Sequence, residues 1–163
     1  MIMTQPFRQI DTVRAELERI KGNCLYTAQG YFEAAKNAEL WGRLMVFVPA
    51  CITAIAGLLD AIGIKGPFSA VAAVAGSVAA TASFLGSQKN AADYLASARA
   101  YTALKHRVES ELSLLAPDAD PADLSARARE LNADYIRITA NDIPLPNRFF
   151  DQASKRIEQG AAE

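Results

Sequence analysis

The chain has 163 residues, a length for one domain or for one small domain plus a helical hairpin. Its 17 basic and 18 acidic side chains are interspersed, so no basic face for nucleic acid is expected. Two cysteines make no disulfide framework: Cys24 lies in a polar amphipathic segment and Cys51 inside an apolar run.

The expected fold class is all-α, a membrane helical hairpin extended by amphipathic cytoplasmic helices and a C-terminal helical module. Residues 1–43 form an N-terminal amphipathic helix, 44–86 a hairpin of two spans with its turn at 63–67, and 87–163 a cytoplasmic helical region. The opening MIMTQPFRQIDTV has no charged and then apolar secretory pattern, so the first apolar run is expected to direct insertion itself. Thr4 and Pro6 suit a cap and a first-turn proline. Ile10, Val13, Leu17, Ile20 and Cys24 then recur at alternating spacings of three and four, a coiled-coil-like seam. Arg14, Glu16, Glu18, Arg19 and Lys21 form the solvated face. Tyr26, Tyr31 and Phe32 carry the helix on to Trp41, with Gly22 and Gly30 as its weak points.

Leu44 to Ile64 is an apolar run of about 21 residues, which as a helix reaches roughly 31 Å, close to the hydrocarbon thickness of a bilayer. Phe68 to Gly86 has no charge, and Lys65-Gly66-Pro67 joins the two runs. A soluble helix packed on one side interrupts its apolar stripe with charge every three or four positions, and these runs do not. The competing reading is a soluble bundle with an Ala-rich core. Arg43, Lys36 and Lys21 precede the hairpin and Lys89, Arg99, Lys105 and Arg107 follow it, against Lys65 alone in the turn. The positive-inside bias therefore puts both termini in the cytoplasm and the hairpin in the inner membrane. Trp41 and Tyr94 are expected beside its two cytoplasmic ends.

Inside lipid, helices associate through small side chains that let backbones approach. Ala72, Gly76 and Ala80 form such a ladder on the second span; Ala50 and Ala54, then Gly57 and Ala61, form one on the first. They serve either hairpin-on-hairpin assembly or the packing of the two spans of one chain. Asp60 is a candidate for a ring of carboxylates at a pore mouth, or reaches the headgroup region beside Lys65. Pro49 removes one helical bond and is a candidate hinge. Ser77, Thr81 and Ser83 give the second span a mildly polar side, for a narrow water path or for bonds back to their own helix.

After the hairpin, a helix near 88–116 carries Tyr94, Ala98, Tyr101, Leu104, Val108, Leu112 and Leu115 on one stripe. A turn at Pro117 to Pro121 offers Asp118 and Asp120 as caps. The next helix, near 122–138, lines up Leu124, Ala128, Leu131 and Tyr135. Ile143-Pro144-Leu145-Pro146 ends any helix, because proline lacks the amide donor and restricts the residue before it. A last helix near 147–159 places Phe149, Phe150, Ala153 and Ile157 on one side.

The order of these parts, with Trp41, the Ala91 to Tyr101 run AADYLASARAY, Leu131 and Tyr135, and Ile143-Pro144 before Phe149, resembles the SLATT domain. That family of two-span effectors is associated with bacterial nucleotide-second-messenger and other conflict systems. The resemblance implies a membrane protein that oligomerises and, triggered by a partner protein, forms a pore or disrupts the membrane so that an infected cell stops growing. It carries over no catalytic residue.

No enzyme chemistry is expected, nor any cofactor or metal. His106 stands among Lys105, Arg107 and Glu109 on a solvated face with no second histidine or suitable cysteine near. Gly22, Gly30 and Gly42 lack phosphate-loop spacing. Asp118, Asp120 and Asp123 sit between prolines as a capped turn and not a calcium loop. Two function classes remain: a pore-forming or membrane-disrupting effector, and a non-conducting membrane-tethered or soluble helical adaptor.

Overall fold

A computed structural model describes residues 5–84, 87–115 and 120–160, with side chains placed over 10–83, 90–115, 120 and 122–160. Among the described residues there are five helices and no strand, an all-α fold: α1 (Gln5–Ala61), α2 (Phe68–Phe84), α3 (Ser87–Ser113), α4 (Pro121–Asn141) and α5 (Asn147–Glu158). Thr4 and Asp118, expected as caps, lie outside the described residues.

The chain forms two compact units, Met1–Glu33 with Tyr94–Glu163, and Ala34–Asp93. In the first unit the predicted stripes meet. Leu17, Ile20, Cys24 and Tyr31 of α1 are buried with Ala98, Tyr101, Leu104 and Val108 of α3 and with Ala128 and Leu131 of α4. Each large apolar side chain so enclosed contributes roughly 1.5 to 3 kcal/mol. Four tyrosines fill the end of this core. Tyr31 stacks on Tyr101 with ring centroids 5.9 Å apart, Tyr94 lies 6.1 Å from Tyr31, and Tyr135 meets Tyr101 edge-on at 6.0 Å. Tyr94, expected beside a cytoplasmic end of the hairpin, is half-buried and packs its ring against Tyr31 at the margin of this core.

Asp120 caps α4: its Oδ1 accepts from the Ala122 N–H at 2.9 Å, with Pro121 in the first turn, where a missing amide costs no hydrogen bond. Arg107 of α3 pairs with Asp134 and Glu130 of α4, and Arg127 of α4 reaches Glu111 of α3 at 3.1 Å. After α4 the Ile143 carbonyl accepts the Tyr31 hydroxyl proton at 2.7 Å, which ties the proline segment to α1. The proline segment and α5 then lie against α1 at Gly30, where an added Cβ would meet Leu145 Cδ2 at 2.8 Å and Phe150 Cδ1 at 3.8 Å, and Arg156 of α5 pairs with Glu33 at 2.8 Å. Phe149 and Ala153 of α5 are buried, and Phe150, about 100° round the helix from Phe149, is 39% exposed while its ring edge still faces Gly30.

Candidate functional site

The second unit reverses the usual order of sizes. The buried positions of α1 within it are small: Ala34, Ala35, Gly42, Pro49 and Ala56, the last four recurring every seven residues. On α2 the buried position is Ala75, with Ala72, Gly76 and Ala79 half-buried around it. The large side chains point outward instead. Phe47 and Val74 are each 66% exposed and Leu58 is 63% exposed, whereas Ala56 is 4% and Ala75 8% exposed. In water this wastes the burial of most of the described Leu, Ile, Phe and Val side chains on the pair, each worth roughly 1.5 to 3 kcal/mol. In lipid it wastes nothing, because an apolar side chain gains little by leaving acyl chains, and small residues let the two backbones approach.

α1 contains a stretch long and apolar enough to cross a membrane, and only 11% of that stretch is buried. The apolar part of α2, Phe68–Ser83, is shorter than that standard. The first run, expected to reach Ile64, ends as a helix at Ala61, because Gly63 takes a left-handed φ of 79° and closes a Schellman motif. Its N–H donates to the Asp60 carbonyl at 3.0 Å and the Ile64 N–H to the Leu59 carbonyl at 3.2 Å.

Pro49 is buried inside a helix that continues past it, and the Thr53 hydroxyl donates back to the Pro49 carbonyl at 2.9 Å. The same hydroxyl oxygen lies 3.5 Å from the Ala72 carbonyl oxygen of α2. Asp60 is exposed in the last turn of α1 and forms no ion pair among the described residues. The hydroxyls of Ser77, Thr81 and Ser83 donate to the carbonyls of Ala73, Ser77 and Ala79 at 2.8, 2.8 and 2.9 Å, so each is satisfied by its own helix. The small-residue ladders divide. Ala72 and Gly76 are half-buried, whereas Ala80 and, on α1, Ala50, Ala54, Gly57 and Ala61 are exposed.

Beside the line of contact runs an apolar groove of about 500 Å³, lined by Pro49 and Ile52 of α1, Pro67 of the turn, and Ala70, Val71, Val74, Ala75 and Val78 of α2. No sequence signal marks it, since a run of Ala and Val reads as uniformly apolar. Elsewhere, His106 Nδ1 lies 3.2 Å from Glu109 Oε2 on an exposed face. Among the described residues no group of three His, Cys, Asp or Glu is placed to hold a metal, and both cysteines are free thiols.

The class these features define is an all-helical protein in which a tyrosine-rich helical core and an inverted apolar helix pair are built from one chain. Comparison of the sequence and the fold with family models, curated proteins and solved structures gives no match.

Proposed function

We propose that the chain is an integral protein of the inner membrane, anchored by the apolar end of α1 together with α2 as two spans, with both termini in the cytoplasm. The reversal of sizes in the second unit carries this reading: large residues out and alanines in is the arrangement that lipid rewards and water penalises. In the SLATT-like reading the chain then assembles with copies of itself. Triggered by a partner protein of a bacterial defence system, the assembly opens a pore or disrupts the membrane. The exposed ladder of Ala50, Ala54, Gly57 and Ala61 supports assembly, because it stands free of the contact with α2. Asp60 is the acid available for a pore mouth.

Expression of the full chain, alkaline-carbonate extraction of the membranes, and dye release from vesicles carrying the purified protein test this in order. Release of the chain by carbonate defeats the anchor; retention without leakage, with the partner present, defeats the pore. A second reading, a non-conducting membrane-tethered interaction protein, is favoured by the hydroxyls of Ser77, Thr81 and Ser83, all committed to their own helix and so poorly disposed to line a water path.

A further inference from the structure

We propose that Asp142, Tyr31 and Tyr101 form a site for one bare monovalent cation of about sodium's size, where the proline segment meets α1 and α3. The site lies wholly within the first unit and is independent of the membrane reading. The Tyr31 hydroxyl donates to the Ile143 carbonyl at 2.7 Å. The Tyr101 hydroxyl donates to Thr139 Oγ1 at 3.0 Å, because Thr139 gives its own proton to the Tyr135 carbonyl. Both phenol oxygens lie near the Asp142 carboxylate, which, after burial, is a further cause that holds their protons on. With its single proton committed elsewhere, each phenol can offer that carboxylate only lone pairs. Asp142 Oδ2 has no hydrogen-bond partner and essentially no surface that a water molecule can touch. Asp142 is in no ion pair among the described residues.

Oxygens that can only accept, gathered round a full negative charge, repel one another until something positive sits among them. Both phenols are buried, so bulk water does little to screen that repulsion. The donor set then selects the occupant. Its atoms are all oxygen, which suits a hard cation and not a metal that seeks thiolate or imidazole. One carboxylate balances one positive charge, whereas a divalent ion would keep an uncompensated charge in the enclosure. No group of three His, Cys, Asp or Glu stands by for a divalent ion among the described residues. A hard cation of sodium's size, close to that of calcium, draws oxygen to about 2.3 to 2.6 Å. That is nearer than the roughly 2.8 Å of a water hydrogen bond, so the ion is held where a water is not. Thr139 and Ile143 at the rim are exposed, which gives the ion a way in. Asp142 caps the C-terminal end of α4, so a bound ion joins the start of the proline segment to α1 through Tyr31 and to α3 through Tyr101.

The test unfolds the full chain by heat in mild detergent, in sodium chloride and in choline chloride at equal concentration, so that ionic strength is matched. All five tyrosines lie in the first unit, so the tyrosine circular dichroism signal follows that unit. Sodium at ten times its dissociation constant is expected to raise the folded-to-unfolded ratio about elevenfold, and choline to leave it unchanged. Asp142→Asn puts an amide donor in place of the charge. It is expected to be more stable than the wild type in choline and to lose the sodium response. The wild-type comparison needs no variant to fold. Superimposed sodium and choline curves overturn the site, and so does a sodium response that survives in Asp142→Asn. A wild type indifferent to sodium but more stable as pH falls from about 7 to about 5 places a proton on the carboxylate in the ion's stead, and likewise overturns it. Each of these outcomes leaves the membrane anchor as it was.

Discussion

Cys24 is fully enclosed between α1 and its partners, and burial pushes its thiol up to about 11. The fold therefore favours the neutral thiol, and the sign follows. The stability this group contributes is intact below about pH 9 and is lost as pH rises toward about 11, at up to about 1.4 kcal/mol per pH unit. Tyr31 and Tyr101 act in the same direction above about pH 10, raised first by burial and then by the Asp142 carboxylate. Helicity followed against pH is expected to fall in that alkaline window. Cys24→Ala is expected to remove the earlier part of the slope while lowering stability at neutral pH.

The tyrosine cluster also leaves a debt. Tyr31 spends its proton on the Ile143 carbonyl. Thr139 gives its own to the Tyr135 carbonyl at 2.9 Å, so the 3.0 Å contact between Tyr101 and Thr139 uses the Tyr101 proton. Asp142 Oδ2 is enclosed near both tyrosine hydroxyls, and because their protons are committed to Ile143 and Thr139 it is left with no hydrogen-bond donor among the described residues. An unsatisfied buried polar atom costs about 1 to 3 kcal/mol. Asp142→Asn, which places an amide donor there, is expected to stabilise the first unit by about 1 kcal/mol in chemical denaturation. Loss of stability on that change would show that the carboxylate itself is needed.

At the scale of elements, what the sequence made legible is what periodicity encodes. The α3 stripe is an example: Ala98, Tyr101, Leu104 and Val108 are all buried, since apolar spacing of three and four closes on one face of a helix. Asp120 before Pro121 was readable as a cap for a chemical reason, an acceptor offered to free amides at a helix start. Asp120→Ala is expected to cost about 1 kcal/mol, measured by thermal unfolding, with the loss confined to the first unit. What stayed illegible depends on partners far apart in sequence. Tyr31 reaching the carbonyl of Ile143, 112 positions away, leaves no local pattern. Within the apolar runs, uniform composition hid which face turns inward, and so hid both the alanine contact and the groove beside it. The ladders of Ala50 and Ala72 look alike as spacing, yet Ala72 is half-buried and Ala50 is exposed.

For the whole molecule, the outward placement of large apolar residues makes water and lipid give opposite forecasts for one substitution. Ile55 is 59% exposed near the middle of its run. In water Ile55→Arg at such a position changes stability by within about 0.5 kcal/mol and improves solubility. In a bilayer the same arginine costs about 2.5 to 3.5 kcal/mol on insertion scales. The expected outcome is a marked fall in the carbonate-resistant fraction; a variant that fractionates as the parent does would set aside the anchor.

The first unit is assembled from the two ends of the chain, with Ala34–Asp93 intervening. Leu17 and Ile20 therefore emerge from the ribosome long before Tyr101 and Leu104 exist to cover them. During synthesis the residues of the apolar pair are likewise made before those that cover Leu17 and Ile20. Biogenesis is thus ordered by the chain's own layout: a nascent protein halted before α3 has most of its second unit and cannot complete the first.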